Sequence, residues 1–234
     1  MASMAQPRAG VGGFLRATIE QLGDRRWLGI ALLFLLFLGG TNIVLALYKP
    51  VHGAKPGLVF ALAGLVRAVA LIAISVAALR IAIGSRRSPW MPDGAFFLYF
   101  ALSLLAFAAV ALGAFLGRGL PDLQRILLTE VVGVLLLAPL SVWTVAAAVE
   151  RPLALSPAPR LRNLGVWLPS FLLWAVILVL PLATAHAVAS LHLVLWARQD
   201  GFWPLAAADA AISTLLVMIT LALRVTAYRS VARP

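Results

Sequence analysis

Cysteine is missing from this chain, histidine occurs three times, and only eight acidic residues stand among 234. Without a thiol there is no disulfide framework, no thiolate nucleophile and no cysteine-held zinc, iron–sulfur or haem attachment site. The patterns G-x-S-x-G and H-E-x-x-H, paired acidic motifs for metal-bound pyrophosphate, and glycine-rich phosphate loops are missing as well. The acidic side chains outside the long apolar runs, such as Asp93, Asp122, Glu150 and Asp200, stand singly. A general acid and base pair has nowhere to assemble from them, so neither enzymatic activity nor a cofactor is expected.

What the sequence has in excess is apolar surface. It is 63% hydrophobic and 12% charged, with mean hydropathy +1.01, whereas a soluble domain is about 45–50% apolar and about 25% charged. An integral membrane protein is expected. Six spans of about 20 residues consume about half the chain and leave no room for a separate soluble catalytic domain. The net charge of +11 raises the question of nucleic acid, but no stretch joins an exposed basic face to aromatic or polar base contacts, and that partner class is set aside.

The first apolar run, Trp27 to Tyr48, is too long for a secretory signal core of about 7–15 residues and carries an aromatic at each end, so it reads as a retained span. Ahead of it Phe14, Leu15, Ile19 and Leu22 recur at helical spacing, predicting a short amphipathic helix in the interface plane. Further spans are expected at about 57–83, 95–116, 126–149, 168–196 and 203–223. The fifth belongs to an uncharged run from Leu164 to Ala197 that holds Pro169 and Pro181, which predicts an interfacial first turn near Trp167 and then a tilted helix kinked near Pro181. The expected fold is all-α, a polytopic bundle of six transmembrane helices: a tail with the amphipathic helix over 1–26, one transmembrane domain over 27–228, and a short tail over 229–234. Glu150 to Asn163, with Pro152, Pro157 and Pro159, predicts a stiff extended strap.

Cations set the orientation. The tail and alternate connections on one side hold Arg8, Arg16, Arg25, Arg26, Arg80, Arg86, Arg87, Arg151, Arg160, Arg162, Arg224, Arg229 and Arg233; the other side holds Lys49, Lys55, Arg118, Arg125 and Arg198. Both termini are therefore expected in the cytoplasm. Heavy use of Arg and Ala suggests a GC-rich genome and a bacterial inner membrane. Anionic lipid head groups are the expected partners of these cations, and the sequence leaves room for a second copy of the chain or another membrane protein.

Ionisable groups inside spans cost about 2.5–3.5 kcal/mol each on insertion scales, which makes them the places to look for function. Arg67, Glu130, Asp209 and His186 all fall in the outer half by their distance along their helices. Three readings compete for them. Arg67 pairs with Asp209 or Glu130 as a buried latch with His186 packed nearby; or a wet, outward-facing vestibule uses a carboxylate and His186 to bind or relay a proton or small charged solute; or His186, Glu130 and Asp209, with His192, hold a metal. The third is disfavoured, because His186 and His192 lie on opposite faces of one helix. Gly113 and Gly117 form a G-x-x-x-G, and Gly39-Gly40 stand beside Asn42, a polar hook; both pairs are read as helix-packing sites. Trp27, Trp90, Trp143, Trp167, Trp196 and Trp203 read as interface anchors. The expected function is that of an accessory or structural membrane protein, with a small transporter or channel subunit built on the outer-half cluster as the alternative.

Overall fold

The computed structural model describes residues 10–50, 55–149, 164–197 and 199–231, and among these every regular element is helical. In chain order they are α1 (Val11–Leu22), α2 (Arg26–Leu47), α3 (Leu58–Ile83), α4 (Gly94–Leu116), α5 (Asp122–Leu137), α6 (Ser141–Val149), α7 (Leu164–Trp174), a π-turn (Ala175–Val179), α8 (Leu180–Leu195) and α9 (Phe202–Val231). The strap expected over 150–163, and Arg8, Arg198 and Arg233, lie outside the described residues.

Five helical stretches are long and apolar enough to cross a bilayer, and a sixth results if α5 and α6 form one bent span. Their outward faces are apolar: α4 alone exposes Phe97, Leu104, Leu105, Leu112 and Phe115. Water would drive such a surface to aggregate, whereas acyl chains match it. Each irregularity has a local cause. Pro139 stops α5, and α6 leaves at 62°. Pro181 cannot donate to the carbonyl of Ile177 four residues back, and the π-turn takes up that mismatch. A π-turn thus stands just before the proline at which the sequence predicts a kink.

α9 is the centre of the bundle, with α1, α2, α3, α6, α7 and α8 packed around it. Close approach is set by small residues. A Cβ on Gly39 would lie 2.9 Å from the Ala210 Cβ, so α2 and α9 nearly touch there. Gly113 faces the Thr129 backbone and Gly117 the Arg125 side chain, so the G-x-x-x-G is spent on the α4–α5 contact within the chain.

Two features depart from the reading of the sequence. α1 buries Phe14, Thr18 and Gln21 and leaves Ile19 exposed, and it pairs in register with the end of α9. Thr18 Oγ donates to Thr226 Oγ (3.2 Å), and Arg229 donates to Gln21 Oε1 (2.5 Å). Equal steps of three along both helices mean that they run parallel, so α1 runs along the end of α9, held by polar pairs that an apolar stripe does not reveal. Trp27 and Trp167 are buried in the core, while Trp90, Trp196 and Trp203 are exposed.

At the end of α3, Gly84 takes φ 70°, the left-handed conformation that closes a Schellman turn with Ser85 N–H donating to the Arg80 carbonyl (2.9 Å). This turn folds the α3–α4 connection back over Arg80, whose side chain is wholly buried. Arg80 donates to the carbonyls of Ala148 (3.0 Å), Ser88 (2.9 Å) and Met91 (2.8 Å) and to Asp93 (2.5 Å). Asp93 also accepts from Arg87 and caps α4 through the Phe96 amide (3.0 Å). Burial pushes the Asp93 carboxyl up, but the Phe96 amide and the guanidiniums of Arg80 and Arg87 outweigh it and hold the group below the usual aspartate range. Arg80, counted as a loop cation from the sequence, is a structural node on α3.

Candidate intramembrane polar site

Four helices each send one polar side chain to a common point: Asn42 from α2, Arg67 from α3, His186 from α8 and Asp209 from α9. Asp209 is completely buried. Its Oδ1 lies 2.7 Å from His186 Nδ1, and its Oδ2 accepts from Asn42 Nδ2 at 2.6 Å. On the far side Arg67 donates through Nη1 to Asn42 Oδ1, and its Nη2 lies 3.3 Å from His186 Nε2.

These contacts close a ring in which Asn42 and His186 are parallel bridges between a guanidinium and a carboxylate. Proton inventory fixes its polarity. Arginine only donates, so Nε2 of His186 is the lone-pair nitrogen and Nδ1–H donates to Asp209. Asn42 likewise gives its amide N–H to the acid and its carbonyl oxygen to the base. Both bridging residues are thereby oriented without ambiguity, and each charge faces a complementary dipole instead of hydrocarbon. Arg67 and Asp209 are joined through the bridges and form no direct ion pair.

The ring depends on the packing beneath it. Gly39 precedes Asn42 by one helical turn and Ala210 follows Asp209, so the near-contact of α2 and α9 at these small residues is what brings the amide within reach of the carboxylate. Arg67 lies nine residues into α3, about 14 Å along it, and leans back toward the end where Lys49 sits.

Glu130 stays outside the ring. It lies on α5, which packs against α8 and α4, and it forms no hydrogen bond among the described residues. His192 turns Nδ1 to the Val188 carbonyl at 2.9 Å, and no three His, Asp or Glu side chains converge as a metal would require among the described residues. Asn42, noticed in the sequence as a hook beside two glycines, is thus a member of the site. The signal that could have placed it there is the coincidence of Gly39, Asn42 and Asp209 at compatible depth.

A cavity of about 230 Å³ opens between α2, α3 and α8. Its polar lining is Asn42, Lys49, Arg67 and Ser190, and no acidic side chain lines it. Lys49 is exposed at the helix end, and Arg67 forms the inner limit. Asp209, the carboxylate of the ring, does not line this space. The cavity therefore presents two cations, an amide and a hydroxyl, a lining suited to a small anion. No protein-family model, curated protein or solved structure matches the chain.

Proposed function

We propose that the chain is a non-enzymatic, multi-pass protein of a bacterial cytoplasmic membrane, with both ends inside, that receives a small anion from the outer side at Arg67 as a transporter or channel subunit. The observation that carries this reading is the cavity that runs from Lys49 to Arg67 without an acidic group. The ring explains how a guanidinium persists at that depth: Asp209 compensates its charge through Asn42 and His186, which occupy one donor nitrogen each and leave the remaining N–H groups of Arg67 for a solute.

A second reading, an accessory or structural protein in which the ring is a latch for α2, α3, α8 and α9, is favoured by the complete burial of Asp209. The two readings part at Lys49, which lines the cavity but belongs to no ring contact. Thermal unfolding of the purified protein in detergent is measured with chloride, acetate or inorganic phosphate added, since an anion bound to the folded state raises the midpoint. Anion receipt requires that at least one of the three raises it in the wild type, that Lys49→Gln weakens the effect at an unchanged basal midpoint, and that Arg67→Gln abolishes it. If no anion moves the wild-type midpoint and Arg67→Gln merely lowers it, the latch reading stands and the anion reading falls.

A further inference from the structure

A second polar feature lies at the other end of the bundle. α3, α4 and α9 leave between them a groove of about 180 Å³. One end is polar, with Arg224, Thr220, Ser75, Ser103 and Tyr99; the other is wholly apolar and ends at Leu216 and Phe107. Arg224 is the decisive residue. Its Nε is buried and has no partner, and its guanidinium forms no ion pair or hydrogen bond among the described residues. Contrast Arg80, one helix away, which satisfies its guanidinium with three carbonyls and a carboxylate. A buried donor left unmade costs about 1–3 kcal/mol, more when charged, so its position calls for an acceptor that the described residues do not supply.

We infer that this groove holds an anionic phospholipid, with the head-group phosphate on Arg224 and one acyl chain along the apolar part. The shape of the chemistry argues for an amphiphile over a free anion: a cation and hydroxyls at one end only, then apolar wall from Leu221 to Leu216, whose far end lies about 12 Å from Arg224 along α9 at 1.5 Å per residue. The hydroxyls of Ser103 and Thr220 already donate to the carbonyls of Tyr99 (2.9 Å) and Leu216 (2.7 Å), while the Tyr99 and Ser75 hydroxyls have no such commitment among the described residues and are free to donate to phosphate oxygens. The lipid comes from the leaflet at the Arg224 end, the inner one under the topology proposed above, and the site is independent of the ring at Arg67.

The test is native mass spectrometry of the full chain released from detergent after equilibration with phosphatidylglycerol or phosphatidylcholine of matched chains. Wild type should retain one phosphatidylglycerol in preference to phosphatidylcholine by about fivefold, the factor that one juxtaposed cation supplies near a membrane surface. Arg224→Gln should erase the preference, Arg224→Lys should keep most of it, and Ala106→Trp, which fills the apolar part with Arg224 intact, should lose both lipids. Inorganic phosphate should not displace the lipid; if it does, the site is for a free anion and the proposal is wrong. Equal retention of both lipids by wild type, or an undiminished preference in folded Ala106→Trp or Arg224→Gln, would also overturn it. Should Arg224→Gln fail to fold, Ala106→Trp and the phosphate competition decide by themselves.

Discussion

Removing the carboxylate of Asp209 should destabilise the bundle in a way that a second substitution repairs. In Asp209→Ala two hydrogen bonds to a charged group disappear, those at 2.6 Å from Asn42 and 2.7 Å from His186, and the Arg67 guanidinium keeps only neutral dipoles for company. Breaking a buried pair from one side costs about 3–5 kcal/mol, the same range that two charge-assisted hydrogen bonds give. Set against a typical folding stability of about 5–15 kcal/mol, that is a large fraction. Arg67→Met alone strands the carboxylate in the same manner and should cost a similar amount. The double variant removes both charges together with the need to desolvate them, and its loss should fall short of the sum of the single losses by at least about 2 kcal/mol. The assay is reversible unfolding in mixed micelles followed by the fluorescence of the seven tryptophans. Additivity within about 0.5 kcal/mol would show that the two residues share no network and would refute the reasoning from the ring.

The remaining predictions concern packing and pH. Gly39→Val should push α2 from α9 and cost about 1–3 kcal/mol, and Ala210→Gly in the same chain should restore most of it, because the atom in the way is a side-chain Cβ. Gly113→Val should cost as much without any such rescue, because it meets the Thr129 backbone; thermal midpoints of the single and paired variants check both. The carboxyl of Asp93 is held below its unfolded range, so its stabilisation is complete above the ordinary carboxylate pKa and fades as pH falls through the folded one. A midpoint followed from about pH 6 to about pH 3 should therefore decline, and Asp93→Asn should begin lower and decline less.

The sequence made some of this legible for a simple reason: in a chain so poor in charge, an ionisable residue within an apolar run stands out, and its depth follows from counting at a fixed rise per residue. Arg67, His186 and Asp209 were placed in one layer on that basis, as was Glu130. Which of them meet is a question of helix faces, and helices that are apolar all round carry no stripe to orient them. Glu130 sits on α5, against α8 and α4. Asn42 and the two glycines beside it were visible; that α2 packs on α9, which makes Asn42 the bridge, is a tertiary fact with no local signature. Arg80 and Arg224 counted equally as cations at span ends, yet one is saturated by carbonyls and the other is left with an unpartnered nitrogen. The face of α1 that is buried is Phe14, Thr18 and Gln21, and polar residues of this kind contribute nothing to an apolar periodicity.

The pairing of α1 with α9 has a consequence in time. Thr18 and Thr226 are separated by 208 residues, so at a synthesis rate of about 5–20 residues per second the partner of α1 is made about 10–40 s after it. Throughout that interval the Thr18 hydroxyl has only the Phe14 carbonyl of its own helix (3.0 Å), and the Gln21 amide oxygen lacks its guanidinium partner. α1 can make these contacts only once α9 has been made, which makes the Thr18–Thr226 and Gln21–Arg229 contacts a closing step for the bundle and any truncation of α9 an injury felt first at the opposite end of the chain.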